Sequence, residues 1–217
     1  SEDFMERYFN GDIFSEADIR AALRNNVLDG SIVPMSMGSN ILCQGIYTLL
    51  DDIVKYMPSP ENRELAGIDL KSNEIFEANY DFSKPKSAYI FKTIVDPCIG
   101  KYSLIKVCSG VFKSDDVIYN DEKEVEEKVN KLYVLQGNKP IEVKELHAGD
   151  IGAIAKLTAA RTGNTLSTKA RIIRYGKVDL PKPCMAKRYK AKNKGDIDKI
   201  SQSLQKLTHE DRTLQLV

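Results

Sequence analysis

A series of short runs rich in β-branched and aromatic residues between residues 85 and 180 constrains the fold of this chain more than any other feature. The stretches DPCIGK, KSDD, QGNKP and TAARTGNT separate them. Strands at intervals of about 8–12 residues with Gly, Pro and Asn turns are typical of an all-β barrel or sandwich. The charged stretch DEKEVEEKVNK fits either a helix or a long exposed hairpin loop. The runs are SAYIFKTIVD, YSLIKVCSGVF, DDVIYN, VNKLYVLQGN, IEVKEL, GDIGAIAKL and KARIIRY.

The segments before residue 85 have a different character. SEAD (15–18) predicts a helix start of the capping-box type. The apolar run GSIVPM predicts a short strand, and apolar residues at helical spacing from Ile46 to Met57 predict a helix that Pro58 ends. This strand–loop–helix unit is typical of the edge of an α/β domain. Residues 61–84 are polar and without sustained periodicity, which predicts a linker.

The pattern changes again after residue 180. The stretch KRYKAKNK is basic, and GDIDKISQSLQKLTHED places apolar residues on one face of a predicted helix. RTLQLV then predicts the start of a strand. Because one helix and one strand cannot bury a core of their own, we expect residues 181–217 to be the beginning of a truncated domain.

Charge is distributed unevenly along the chain, although the net charge is only +1. Residues 1–60 carry 4 Lys/Arg and 9 Asp/Glu, whereas residues 84–194 carry 23 Lys/Arg and 12 Asp/Glu. The basic region suits contact with RNA or DNA, and it equally suits a solvated lysine-rich surface. No apolar run is long enough to span a membrane, and the acidic start of the chain does not resemble a secretory signal.

The cysteines and histidines, which bind metals or catalyse reactions in many proteins, do not have the spacing of a metal-binding or catalytic motif in this sequence. The cysteines at 43, 98, 108 and 184 form no C-x-x-C pair, and His147 and His209 lie far apart. We therefore expect free thiols, no metal site and no catalytic set. The phosphate loop G-x-x-x-x-G-K-[ST] is absent, so this chain is not expected to hydrolyse a nucleoside triphosphate. NKGD (193–196) imitates a guanine-reading motif but follows a basic stretch, which favours a helix start.

Two glycine-containing stretches need separate interpretation. SMGSN (36–40) lies between the predicted strand and helix, where α/β sheets bind ligands, although an ordinary turn would have the same composition. GDIGAIAKLTAARTGNTLS (149–167) alternates like a strand and then turns at RTGNT. It predicts a barrel hairpin, with Gly149 and Gly152 permitting a turn, a bulge or close backbone approach. Gly163 or Asn164 is expected at positive φ, and Lys156 and Arg161 are expected to be exposed.

Three longer stretches carry a resemblance to a known family. They are IFKTIVDPCIGKYSLIKVCSGVFKSDD, KLYVLQGNKPIEVKELHAGDIGAIAKLTAARTGNTLS and SLQKLTHEDRTLQ. In order, spacing and motifs they resemble bacterial elongation factor G over essentially the whole chain. The resemblance implies an α+β multidomain fragment whose centre is the all-β barrel of domain II. Residues 1–60 would be the C-terminal α/β part of a GTPase domain, 61–84 a linker, 85–180 the barrel, and 181–217 the truncated start of an α+β domain III.

The resemblance also implies a function and a site. Gly38 and Ser39 match the family's G-S-A loop, whose backbone contacts the guanine base, and Asn40 stands in place of the alanine. GTP or GDP with Mg would be bound by the full-length protein through residues before Ser1, and no cofactor is expected in this fragment. The implied activity is GTP-dependent ribosomal translocation in the cytoplasm. The barrel would contact the GTPase domain and ribosomal RNA, and the chain would have no membrane partner.

The RNA-contacting residues are not specified by the resemblance. The basic candidates in the barrel are Lys92, Lys101, Lys106, Lys113, Lys156 and Arg161. Lys106 stands where the family commonly has arginine, and EEKV replaces a K-E-R-V-like stretch. These departures suggest a divergent elongation factor G-like paralogue, or a ribosomal protection protein or other translational GTPase of the same architecture. A stand-alone β-barrel RNA-binding adaptor without a GTPase domain is a further alternative.

Overall fold

The structure, a computed structural model, describes residues 2–60, 64–96 and 100–216. The chain divides into two compact units, Ser1–Asn62 and Arg63–Val217. Each unit has its own secondary structure, helical in the first and almost entirely antiparallel β in the second.

The first unit contains three helices: α1 (Glu2–Phe9), α2 (Glu16–Leu28) and α3 (Ile46–Tyr56). The predicted capping box is present at the start of α2. The Asp18 amide donates to Ser15 Oγ (3.2 Å) and the Ser15 amide donates to Asp18 Oδ2 (3.1 Å), so each residue satisfies a donor of the other. Helix α3 ends at Tyr56, two residues before Pro58, as its composition predicts.

The prediction that GSIVPM forms a strand is wrong. Residues 31–38 lie in neither helix nor strand. A strand needs a neighbour to accept and donate its backbone hydrogen bonds, and no strand lies in the described part of the first unit. The apolar side chains of the run therefore remain outside any core, with Val33, Met35 and Met37 at least 84% exposed.

The second unit contains thirteen strands in its described residues, and the β-rich runs of the sequence coincide with most of them. DEKEVEEKVNK forms the turn and second strand of the β6–β7 hairpin rather than a helix. The strands are β1 (Ala66–Asp69), β2 (Glu74–Glu77), β3 (Ser87–Asp96), β4 (Gly100–Ser109), β5 (Val111–Lys113), β6 (Val117–Asn120), β7 (Val125–Lys128), β8 (Leu132–Gln136), β9 (Lys139–Val143), β10 (Glu145–His147), β11 (Ile151–Ala155), β12 (Thr165–Ser167) and β13 (Ile173–Arg174).

Eight of these strands form one antiparallel sheet in the order β7-β6-β12-β3-β4-β11-β8-β9. Its apolar residues enclose a single main core whose largest members are fully buried, as expected for the barrel-type fold that the alternation predicts. Strands β5 and β10 form a separate two-stranded ribbon, which contributes Phe112 and Leu146 to this core. The central members of the core are Ile90, Ile105, Phe112, Ile118, Leu132, Leu146, Ile154 and Leu166.

The described part of the predicted linker, residues 64–84, contains a β-hairpin. Strands β1 and β2 pair with the register Ala66↔Glu77, and β13 joins β1 to complete a three-stranded sheet. Phe76 of β2 packs with Ile173 and Tyr175 in a second buried cluster. The polar composition concealed this hairpin because only Phe76 of β2 is buried, while Ile75 is 75% exposed.

The prediction that residues 149–167 form one hairpin is also wrong. Strand β11 pairs with β4 and β8, whereas β12 pairs with β3 and β6, so these two strands never pair with each other. The loop 156–164 crosses from one side of the β3–β4 pair to the other. Close approach at Gly152 is confirmed, because a side chain there would meet Leu146 and the Tyr133 carbonyl oxygen. Gly163 has φ +90°, as the turn composition predicts.

The C-terminal helix is present where its periodicity predicts it. A 3-10 turn at Lys194–Asp196 leads into α4 (Ile197–Glu210), so GD does open a helix. Residues 211–216 form no strand, contrary to the prediction from RTLQLV. Helix α4 lies on the β3 side of the unit, where the Val95 amide donates to Glu210 Oε1 (2.7 Å).

A buried isoleucine and an exposed one offer a matched test of this core. Ile90 is fully buried in β3, while Ile75 of β2 is 75% exposed. We expect Ile90→Ala to lower the free energy of unfolding by about 2–5 kcal/mol, because it removes buried methylene groups and leaves a cavity. Ile75→Ala should cost less than about 1 kcal/mol. Urea unfolding of both variants measures this, and equal losses would contradict the assigned core.

Candidate functional site

The predicted guanine loop forms a tight turn directly before α3. The Ser39 amide donates to the Gln44 carbonyl oxygen (3.0 Å) and the Gln44 amide donates back to the Ser39 oxygen (3.2 Å). The Leu42 amide donates to Ser39 Oγ (3.3 Å), so the serine hydroxyl stabilises the turn it belongs to. Gly45, at φ +78°, then begins the helix.

Glycine is required at position 38 by the packing of this turn. A Cβ there would lie 2.7 Å from the Gln44 carbonyl oxygen, closer than real Cβ atoms come to backbone. Gly38 and Asn40 are exposed and Ser39 is half-buried. The structure thus brings the three predicted site residues together in one ordered turn, with Asn40 at its solvent side. The guanine contact itself stays a prediction.

In the second unit, the loop 156–164 is held in place by one carboxylate. Glu127 Oε1 accepts from the amides of Thr158 (2.5 Å) and Ala159 (3.0 Å) and from Thr158 Oγ1 (2.9 Å). Glu127 Oε2 accepts from the Ala160 amide (3.1 Å). Successive backbone amides that converge in this way make an anion-binding concavity, and here the protein fills it with its own side chain.

Lys101 holds the opposite side of the same loop. Its Nζ donates to the carbonyl oxygens of Ala160 (2.8 Å) and Thr158 (3.4 Å). Partial burial lowers the pKa of Lys101, the Glu127 charge acts in the opposite direction, and Arg161 lowers the pKa further. The carboxylate and the ammonium therefore satisfy both the donors and the acceptors of this short stretch.

The end of the loop is fixed by a buried amide. Asn164 Oδ1 accepts from the Arg161 amide (2.8 Å) and from Asn120 Nδ2 (3.1 Å), and Asn164 Nδ2 donates to Glu122 (2.6 Å). Lys177 lies 3.3 Å from the same Glu122 carboxylate. The loop is thus hydrogen-bonded at residues 158–160 and again at its end, with Lys156 and Arg161 exposed as predicted.

The basic candidates in the barrel have different environments. Lys113 lies 3.5 Å from Glu145, and Lys106 places its ammonium 5.0 Å from the centre of the Tyr80 ring. Lys101 is committed to the loop carbonyls. Lys92, Lys156 and Arg161 are exposed, and no carboxylate of the described residues lies within 4.0 Å of their head groups. Among these candidates, the three exposed residues are the ones that present an unneutralised charge to a partner.

A groove of about 830 Å³ lies between the β3 side of the sheet and helix α4. Leu157 and Leu207 supply apolar surface, and Lys206, His209 and Glu210 line it from the helix. Partial burial lowers the pKa of His209, and the charges of Lys101 and Arg161 lower it further. His209 is therefore more readily neutral at physiological pH than an ordinary histidine.

The described residues hold no cluster of three or more His, Cys, Asp or Glu side chains with metal-binding geometry. Cys43 and Cys184 are exposed free thiols, and burial raises the pKa of Cys108 to about 12, so this thiol is unreactive. Cys98 lies outside the described residues, as does part of the predicted turn DPCIGK. Among the described helices, none is long and apolar enough to cross a bilayer.

The role of Glu127 could not be read from the sequence. The residue sits in EEKV, a stretch whose charges predicted only an exposed hairpin, and it contacts a loop 31 residues away. Its neighbours Glu126 and Lys128 make exposed ion pairs with Lys169 (3.7 Å) and Asp115 (2.7 Å). Strand alternation separates Glu127 from these neighbours, and this was the only available signal.

Comparisons with known proteins agree with this description of the second unit. Residues 85–169 match the family described as elongation factor G domain 2. A crystal structure of a Thermus thermophilus protein matches the chain with a TM-score of 0.74 at 24% sequence identity. That match covers 100% of this chain and 30% of the other, so the chain spans less than a third of that protein. Residues 85–169 are therefore similar to domain 2 of elongation factor G, as the resemblance implied.

Glu127 and Glu126 provide a matched pair for testing the loop anchor. Glu127→Gln removes a charge that accepts three backbone amides, so we expect it to lower the free energy of unfolding by about 1–3 kcal/mol. Glu126→Gln, which breaks only an exposed ion pair, should cost less than about 1 kcal/mol. Hydrogen exchange at the amides of residues 158–160 should accelerate at least about tenfold in the first variant alone. Unchanged exchange would contradict the anchoring role.

Proposed function

We propose, from the premise that residues 85–169 are an elongation factor G-like second domain, that this chain is part of a translational GTPase that promotes ribosomal translocation. In this proposal the barrel contacts the ribosome and the GTPase domain of the same protein, and the protein works in the cytoplasm, where ribosomes are. The family match in the barrel is the observation that carries it.

The first unit supports the GTPase-domain part of the proposal. None of its described residues is buried, and its strand-like run 31–38 has no strand to pair with. Helix α3 likewise leaves Leu49, Leu50 and Val54 at least 47% exposed. Apolar surface on this scale is normally covered, and the strands of an α/β GTPase domain would cover it. GTP or GDP with Mg would then be held by that domain, with Gly38, Ser39 and Asn40 at the guanine base.

The barrel supports the ribosome part of the proposal through its rigid loop. Glu127, Lys101 and Asn164 fix the loop 156–164, and the exposed Lys156 and Arg161 carry charges that no carboxylate of the described chain neutralises. Cations held on a rigid support can contact RNA phosphates without losing conformational freedom on binding.

Sedimentation with ribosomes tests this proposal directly. The 217-residue chain should pellet with purified ribosomes through a sucrose cushion at low salt and be released as salt rises, because phosphate contacts are lost by counterion competition. The double variant Lys156→Gln/Arg161→Gln should pellet less, by about tenfold in apparent affinity. The matched control is Lys113→Gln/Lys128→Gln, whose charges are already paired with carboxylates. Failure of the unaltered chain to pellet at low salt contradicts the proposal.

The guanine loop makes a separate prediction for the full-length protein of the source cells. Gly38→Ala forces the turn apart, so guanine nucleotide affinity should fall at least about tenfold in that protein. Gly176→Ala is the control, since nothing lies within 4 Å of a Cβ at that position. Calorimetric titration with GDP measures both variants. An unchanged dissociation constant for Gly38→Ala would remove these residues from the nucleotide site.

A further inference from the structure

The densest cluster of basic residues in the sequence lies in the segment that connects the last strand of the second unit to helix α4. Residues 182–194, here called the basic segment, contain six cations and no acidic residue. The segment precedes α4 and forms no strand or helix before its last residue, Lys194, enters the 3-10 turn. The cations are Lys182, Lys187, Arg188, Lys190, Lys192 and Lys194, and all six are exposed.

Several cations of the barrel are paired with carboxylates instead. Lys86 lies 2.5 Å from Asp116, Lys131 lies 2.7 Å from Glu142, and Arg171 lies 2.8 Å from Asp69. In contrast, no carboxylate in the described part of the chain lies within 4.0 Å of any cation of the basic segment. Six like charges at close spacing repel one another, so this arrangement favours an anionic partner that neutralises them.

We infer that the basic segment binds the phosphate backbone of a single-stranded stretch of RNA. Ahead of the 3-10 turn, Arg188, Lys190 and Lys192 recur at every second residue. In an extended chain, side chains two residues apart project to the same side about 6.5 Å from each other. A row of cations at this spacing can contact successive phosphates of a nucleic-acid strand, which carries one negative charge per nucleotide.

An aromatic residue distinguishes RNA from an acidic protein as the partner. Tyr189 lies between Arg188 and Lys190 and is 64% exposed. In the same alternation Tyr189 projects to the side opposite Arg188 and Lys190 and shares its side with Lys187, so the ring can stack on a base while cations on both sides of the chain contact phosphates. An acidic peptide would use the charges but not the ring. The inference rests on the proposed function, since the ribosome is what brings RNA to a translation factor.

Two triple variants of equal charge test the site. Lys187→Gln/Arg188→Gln/Lys190→Gln alters the basic segment, and Lys123→Gln/Lys139→Gln/Lys144→Gln removes three exposed charges elsewhere in the second unit. The probe is a fluorescein-labelled single-stranded RNA of about 16 nucleotides, titrated by anisotropy between about 50 and about 200 mM salt. The segment variant should bind at least about tenfold more weakly, with a salt slope smaller by about 2. The control should stay within about threefold of the unaltered chain.

Tyr189→Leu tests the stacking contact separately. It should weaken RNA binding by about tenfold and leave the salt slope unchanged, because it removes a base contact and no phosphate contact. Equal losses in both triple variants, or no loss in the segment variant, would overturn the inference. So would competition by polyglutamate as effective as that by unlabelled RNA at equal charge, since an acidic protein would then be the partner.

The same variants in the ribosome sedimentation assay separate this inference from the proposed function. If the chain binds free RNA through the basic segment but does not pellet with ribosomes, the RNA site stands and the translation role fails. If the chain pellets with ribosomes while the segment variant binds RNA as the unaltered chain does, the translation role stands and the inferred site is wrong.

Discussion

The antiparallel pairing of β3 with β4 is the interaction on which the rest of the second unit depends. These are its longest strands, and their paired positions run from Ser87↔Ser109 to Asp96↔Gly100. Strand β12 adds to the free side of β3, and β11 adds to the free side of β4, so the sheet grows outward from this pair. A shift of register between Ile90 and Lys92 leaves Phe91 unpaired, and Ile90 then exchanges backbone hydrogen bonds with Gly163 and Asn164. This exchange positions the end of the crossing loop.

The crossing loop spans this central pair, and only its two ends bond to the strands, through the Lys156 amide and through Gly163 and Asn164. The backbone groups of residues 158–160, between these ends, do not pair with a strand. Side chains from outside the loop satisfy them instead, since Glu127 accepts from its amides and Lys101 donates to its carbonyls. Glu127 and Lys101 therefore use their charged groups to bind the loop backbone. Elsewhere in the second unit many charges are paired in a similar way, as Arg174 with Asp121 and Lys177 with Glu122. The exposed loop cations and the basic segment are among the places where the described residues supply no carboxylate partner for a positive charge.

Local patterns in the sequence predicted local structure well and pairings poorly. Alternation located β3 over the whole of SAYIFKTIVD, and Ser15 with Asp18 located the start of α2, because these signals depend on nearest neighbours. The hairpin expected at 149–167 failed because strand partners are determined by the whole sheet, in which β11 pairs with β4 and β12 with β3. The strand predicted for GSIVPM does not form for a related reason. Its composition favours a strand, but the described part of the first unit contains no strand with which it could pair. Glu127 went unnoticed because its role depends on a contact 31 residues away.

The two units differ in whether they bury their own apolar residues, and this difference bears on what each can do. The sheet unit encloses fully buried side chains such as Phe112 and Leu132, so its loop and surface charges are held by a core that it supplies itself. The first unit buries none of its described residues, so the turn at Gly38 and Ser39 is fixed by its own hydrogen bonds and by the nearby bond from Ser36 Oγ to Asp52 of α3 (2.8 Å), and not by a buried core. The guanine contact proposed for this turn would be made through backbone groups, which need support from packing to stay in place. The inferred RNA contact would therefore need only the core that the second unit supplies itself, whereas the guanine contact would need packing that the described residues of the first unit do not supply.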